Sequence, residues 1–486
     1  MRILIHIHRI LIDTSYRTNT YLYLHNNLKK LIMKKLLIIS LYLTAITAQS
    51  QFQDFWTEYA TAQPTQLTGV RSISIVDENT TWLSMRPGTV VDPPIRRYAK
   101  SVNGGTVWTT GSVDLGVDSA NLQIGNIHGV SDLVAYAAVH PVVLSVRGGI
   151  WKTIDGGATW TKQTTASFSE EGSFTDLVYF WNANEGVAFG DAIDGYYEVY
   201  TTTNGGDSWT RVASSAGLVP IDNQEFAVVN NFEVRGNTIF VGTFYGRIIK
   251  SDDKGLTWSA VQTPLPSFDG FGSAKMAFTD QNNGLIQTND FQLFDTADGG
   301  LTWSEILNPN IRNFNIAAIP DMPNAYISIG QDITELVRGS SFTLDGGVTW
   351  ENVNDFIDEI DIDGGEIAIL DSSNAFAGGF NFSPTEGGIY KLGDGSFSRL
   401  ALLTVSTFSD DKSIAAFPNP TSGALNIAGK SIKQVVVSDI LGKQISSTSY
   451  GSLDNVVMNF DSLVGGVYFL SVTTEKGTTV IKVVKQ

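Results

Sequence analysis

The 486-residue sequence predicts an all-β chain, a seven-bladed β-propeller followed by a small Ig-like β-sandwich. Three observations carry that expectation. One eight-residue pattern recurs six times at intervals of 45–52 residues, a short apolar strand precedes each copy, and residues 415–486 differ from the rest in charge and in pattern.

The recurring pattern reads SVNGGTVW from Ser101, TIDGGATW from Thr153, TTNGGDSW from Thr202, SDDKGLTW from Ser251, TADGGLTW from Thr296 and TLDGGVTW from Thr343. Counting one period outward reaches Trp56 at one end. At the other it reaches Phe397, in a worn copy that keeps Asp394 and Gly395. The chemistry is that of a tight turn. The Asp or Asn side chain bonds its own backbone, Gly supplies positive φ, and Trp opens the next strand with a large ring to bury. Asn103, Asp155, Asn204, Asp253, Asp298 and Asp345, with Trp108, Trp160, Trp209, Trp258, Trp303 and Trp350, are therefore assigned to structure.

Ahead of the turns come TTWLSM, LVAYAAV, EGVAFG, NTIFVG, NGLIQT, NAYISIG and NAFAGG, seven apolar strands in all. Four short strands per unit of roughly 45–50 residues describe a propeller blade. Seven units occupy residues 51–405, and the strand after Trp56 is expected to meet the strand near Phe397 and close the ring.

Composition removes many chemistries. The absence of Cys excludes a disulfide scaffold, a thiol nucleophile and a Cys-type zinc site. Beyond residue 50 only His128 and His140 remain, so a multi-His metal centre is excluded. Residues 1–50 hold seven bases and one acid, leaving 25 bases against 48 acids, a balance that repels nucleic acid and anionic membranes.

Met33-Lys34-Lys35, the apolar run from Leu36 and the small residues Ala48 and Ser50 read as a signal peptide over 33–50. Residues 1–32 show no such organisation and are read as a segment upstream of the true start, an unusually long leader being the alternative. No stretch is apolar for long enough to span a membrane.

The turn pattern resembles the Asp-box (BNR-repeat) propellers, a group that includes sialidases, sortilin's luminal propeller, xyloglucan-active endoglucanases and photosystem II assembly-factor-like propellers. The resemblance covers about 350 residues. It implies the fold, and it implies that the box lies away from the ligand face. A sialidase would also need three arginines converging on a carboxylate, a Tyr–Glu pair and an Arg-Ile-Pro-type motif; Pro94-Ile95-Arg96-Arg97-Tyr98 lacks the order. The endoglucanases face two propellers across a cleft, and this chain has one.

After a polar linker at 406–414 come PNPTSG from Pro418, SDILGK from Ser438, GGVYFLSV from Gly465 and a final Lys-containing strand. Residues 51–411 hold 18 bases and 44 acids; 412–486 hold seven and four. This order resembles the type A C-terminal sorting domain of the type IX secretion system over 415–486, an ordinary Ig-like carbohydrate-binding or spacer domain being the alternative. The resemblance implies a bacterium of the Bacteroidetes type, the secretion machinery as partner, and release or surface attachment after Sec export.

Two apparent motifs fail. AGKS at Ala428–Ser431 lacks the earlier Gly of a phosphate loop, and DEIDIDGGE at Asp358–Glu366 has Leu370 where a calcium loop needs Glu. No cofactor is expected, an isolated calcium ion on an acidic loop excepted.

Topology places loops between second and third strands opposite the box turns, on the face where propellers usually bind. These loops offer Arg86, Arg96, Arg97, Tyr196, Tyr245, Arg247, Arg338 and Phe382 as ligand-binding candidates, with Phe244 and Phe380 as further stacking surfaces. The expected function is a secreted or surface-attached monomer that binds a glycan or protein without catalysis. The alternatives are a glycoside hydrolase using loop-face carboxylates, sialidase-like or endoglucanase-like, and a structural role in gliding or attachment.

Overall fold

The computed structural model describes residues 55–486 except 89–92, 144, 217, 270–273, 308, 333–337, 357–364, 394–396, 398–413, 439–443, 475–476 and 486. The expected signal peptide, segment 1–32, most of the linker, the DEIDIDG stretch and the worn box beside Phe397 lie outside the described residues. The chain divides into two compact units at Ser396/Phe397.

Among the described residues, unit one holds five four-stranded antiparallel sheets and one eight-stranded sheet, in which the first and last blades are joined through the Gly69–Phe380 pair. Blade 1 comprises Gly69–Ile75, Thr81–Arg86, Arg97–Ser101 and Thr109–Ser112. Blades 2 to 6 repeat that order, with innermost strands Leu122–Gly129, Thr175–Phe180, Ala227–Arg235, Ala274–Phe278 and Asn315–Ala318. Blade 7 takes Ile367–Asp371, Asn374–Ser383 and Glu386–Leu392 from late in the chain and Trp56–Ala60 from its start.

Each innermost strand contacts the next, and the last contacts the first, so the sheets form a ring. Trp56 pairs with Leu392 and Ala60 with Gly388, which places the closing ladder just ahead of Phe397. The reason is positional. A strand following the box Trp is the outermost of its blade, and its partner is the third strand. That pairing covers an edge that would otherwise offer free N–H and C=O groups.

The box turns are built from their own side chains. Thr153 Oγ1 donates to Asp155 Oδ1 at 2.8 Å and accepts Gly157 N–H at 2.9 Å, while Asp155 accepts Thr159 N–H at 2.9 Å and its hydroxyl at 2.6 Å. The same bonds recur around Asp253, Asp298 and Asp345, and a close variant around Asn103 and Asn204. Gly156 and Gly157 stand at φ 76° and 95°, a region closed to most L-residues. Trp108, Trp258, Trp303 and Trp350 each donate Nε1–H at 2.9 Å to the carbonyl three residues earlier.

The core lies between neighbouring blades. Trp82 of blade 1 packs edge-on against Trp160 of blade 2, with ring centres 6.3 Å apart. Third-strand lysines cross the seams between successive blades. Lys100 donates to Gly156 O at 3.0 Å from above Trp82, and Lys152 donates to Gly205 O at 2.6 Å from above Tyr136.

The innermost strands are stitched by side chains. Asn126 exchanges two bonds with the Val178 main chain, and Ser72 and Ser74 accept the N–H groups of Ile127 and Gly129.

Unit two is a curled five-stranded sheet around one core of Leu425, Ile427, Val435, Val437, Leu470 and Val472 among others. Two long strands, Ala424–Ser438 and Gln444–Asn459, pair along both halves, and their register shifts between Ala428 and Ile432. The shift bends the pair, so one hydrogen-bonded sheet supplies both layers of the expected sandwich.

Candidate functional site

Strand alternation puts the second-to-third loops and the fourth-to-first loops of the propeller on one face, opposite the box turns. The sequence-derived candidates lie on that face, and most are held by partners of their own. Arg86 donates from Nε to Val70 O at 3.3 Å and lies 4.3 Å over the Phe380 ring, joining blades 1 and 7. Arg96 bonds Pro94 O at 2.9 Å. Arg97 bonds Gln63 Oε1 at 2.8 Å, in the connection from the closing strand to blade 1, and Thr110 Oγ1 at 3.1 Å in the outermost strand of its own blade. The three blade 1 arginines do not share a partner in these bonds.

Tyr196 opens the third strand of blade 3 and is capped by the Arg211 guanidinium at 4.7 Å. Arg338 opens the third strand of blade 6, paired with Gln331 and Phe356. Phe382 is half-buried on the blade 7 hairpin, against Gly387. These three sit on separate blades.

Blade 4 does bring candidates together. Arg247 Nη1 donates to Glu225 Oε2 at 2.7 Å, and Tyr245 donates to Asp222 Oδ2 at 3.1 Å. Desolvation and then Asp222 push the Tyr245 phenol up. Glu225 is fully buried and also accepts Ile221 N–H at 2.7 Å and the Thr243 hydroxyl at 3.1 Å. One carboxylate thus ties the 221–226 loop to the second and third strands.

Beside this anchor stand Phe226 and Phe244, 42% and 38% exposed, their rings edge-on at 6.3 Å. Val219 and Ile221 are 61% and 60% exposed in the same loop. The result is an apolar shelf with a charged rim. Phe226, Val219 and Ile221 were not among the sequence candidates because they precede the blade's first strand. The run GLVPIDNQEF, apolar residues inside a loop, is the signal that could have found them.

The central channel is the second concave feature. Its innermost strand in blade 4 carries an insertion, since Ala227 pairs with Thr243 and the next partner pair is Phe232 with Val241. The looped-out residues reach across the ring. Asn230, at φ 57°, donates to Arg71 O of blade 1 at 3.0 Å, and Val229 lies against Gly125 of blade 2. They plug the channel. A cavity of about 290 Å³ remains beside the plug, lined by His128, Tyr179, Phe232, Glu233, Arg235 and Glu366 among others.

Burial sets the protonation in this cavity. It pulls His128 down to about 4, pushes Tyr179 up to about 12 and raises Glu233. Each carboxylate there has a basic partner, Glu233 with Arg235 at 2.6 Å and Glu366 with Lys275 at 3.0 Å.

Between blades 3 and 4, burial pushes Asp176 well above the carboxylate range and Asp191 up to about 7. Asp191 accepts Ala227 N–H at 2.8 Å, whereas both Asp176 oxygens are buried without a hydrogen-bond partner. Among the described residues no group of three or more His, Asp or Glu is placed to hold a metal ion. No helix among them is long and apolar enough to cross a membrane.

Residues 415–486 match the secretion system C-terminal sorting domain. No curated protein matches the chain. Among solved structures the chain is similar to YCF48 from Cyanidioschyzon merolae, with 14% identity and a TM-score of 0.48 over 69% of this chain and 99% of that one. It is also similar to PorZ, a bacterial surface component of the type-IX secretion system of Porphyromonas gingivalis, with 12% identity and a TM-score of 0.32 over 86% of this chain and 70% of that one. A GH74 xyloglucanase from Xanthomonas campestris gives 12% identity and a TM-score of 0.23 over 89% and 70%. The fold stands on the sheet pairings. The sorting domain makes this a secreted or outer-surface protein that engages a secretion machinery.

Proposed function

We propose that this exported propeller is a binding module that takes a glycan or protein ligand on its loop face without catalysis. The observation that supports it best is the Phe226–Phe244 shelf on blade 4, rigidly backed by Glu225 and rimmed by Tyr245 and Arg247. Rigid exposed aromatics give contact area at little entropic cost, and they suit the apolar face of a sugar ring or an apolar peptide side chain. The glycoside-hydrolase reading has less support. Burial raises Glu233, but both channel carboxylates, Glu233 and Glu366, lie against a basic neighbour, so neither stands as a free nucleophile.

The test is a glycan and peptide array on the full chain, run beside an assay for released reducing sugar. Binding without turnover is the expected result. Turnover abolished by carboxylate substitution would replace the binding reading with the hydrolase one.

A further inference from the structure

Among the described residues, Arg71 of blade 1 is a cation left without an acceptor. Arg71 sits where the innermost strand of blade 1 slips register, between Val70 and Ser72. A bulge of this kind turns a side chain out of the regular ladder. The Asn230 amide holds the Arg71 carbonyl and so fixes the bulge. Among the described residues the Arg71 guanidinium makes no hydrogen bond and no ion pair, and its Nε is buried without a partner. The residue is half-buried, so part of it stays accessible.

The acid that acts on it is already committed. Glu366 acts on Arg71 electrostatically, but its Oε1 takes Lys275 Nζ at 3.0 Å and its Oε2 takes Asn315 Nδ2 at 3.0 Å. Arg86 adds like charge from the same blade. Desolvation first, and Arg86 second, bring the Arg71 pKa down to about 10. An excess of positive charge is therefore held inside a segment with 18 bases and 44 acids. A buried cation lacking a counter-charge is costly to keep, and it focuses the field on an incoming anion.

We propose that Arg71 anchors a binding site for a carboxylate group carried by the ligand. The planar fork of a guanidinium fits a carboxylate through two parallel bonds, and a single unmatched cation suits a monoanion better than a doubly charged phosphate. The carboxylate could come from an acidic sugar or from the end of a peptide. The site rests on the reading of the propeller as a ligand-binding module, but not on the Phe226–Phe244 shelf.

The test is calorimetric titration of the full chain with methyl glucuronide and with N-acetylglycine, each against its neutral counterpart, methyl glucoside or N-acetylglycinamide. One acid should bind where its counterpart does not, and which acid binds identifies the source. Arg71→Gln should weaken that binding at least tenfold, and Arg71→Lys should restore part of it. Binding by neither acid, equal binding by Arg71→Gln, or binding that added salt fails to weaken would each overturn the proposal. If Arg71→Gln does not fold, the acid–neutral difference and its salt dependence in the native chain still decide. A Phe226→Ala/Phe244→Ala chain should keep the acid response while losing shelf binding, so the two readings fail separately.

Discussion

At the residue scale, Asp176 is a side chain that is costly to keep ionised. Its folded pKa is raised above the unfolded value near 3.8, and that of Asp191 is raised to about 7. The native state therefore favours the protonated forms. Their contribution is fully present below about pH 4 and is lost as pH rises toward about 7. Asp176→Asn should raise the melting midpoint at pH 8, with the gain shrinking toward pH 4; a fall at pH 8 would show a charged, ligand-satisfied carboxylate instead. Asp155 and Asp298 behave oppositely. Hydrogen bonds from Thr159 and Thr302 hold them down at about 2, so the stability they lend is present above about pH 4 and disappears as pH falls through about 2. Both aspartates were legible in the sequence because the whole turn is written within eight residues. Arg71 and Asp176 were not, since a bulge depends on how the neighbouring strand pairs.

At the element scale, the blades are joined by contacts one repeat apart. Lys152 reaches Gly205 O, 53 residues away, while lying over Tyr136. Lys152→Met keeps the stem but removes a charged donor, and should cost about 2 kcal/mol in denaturant unfolding. An unchanged midpoint would assign the seam to aromatic packing alone. Trp350 is buried and bonded to Gly347 O, and Trp350→Ala should cost about 3–5 kcal/mol. The sequence showed the recurring Trp but not the lysine clamp, because the clamp's partner lies in the following repeat and is a main-chain carbonyl. The channel plug was hidden for a related reason. VVNNFEVR reads as an ordinary strand, and only its pairing with Thr238–Thr243 reveals the looped-out residues. Blade order and loop faces, by contrast, follow directly from a fixed repeat.

At the scale of the whole molecule, ring closure and the two-unit division make separate claims. Removing Trp56–Ala60 uncovers the edge of Glu386–Leu392 and should produce a chain that self-associates, measured by light scattering. Each unit has its own core, so removal of 415–486 should leave the propeller's melting midpoint in place while abolishing export. The sorting domain was legible from the order of motifs in residues 415–486. Of the proposed blade 4 shelf, Tyr245 and Arg247 were named from the sequence, whereas Phe226 and Ile221 lie in a loop that the strand pattern does not select. The central claim is that the blade 4 shelf binds the ligand. Its most direct test is the affinity of the full chain carrying Phe226→Ala and Phe244→Ala for the ligand found on the array, with folding checked by an unchanged melting midpoint. The account predicts a loss of at least tenfold; undiminished affinity in a folded variant would contradict it.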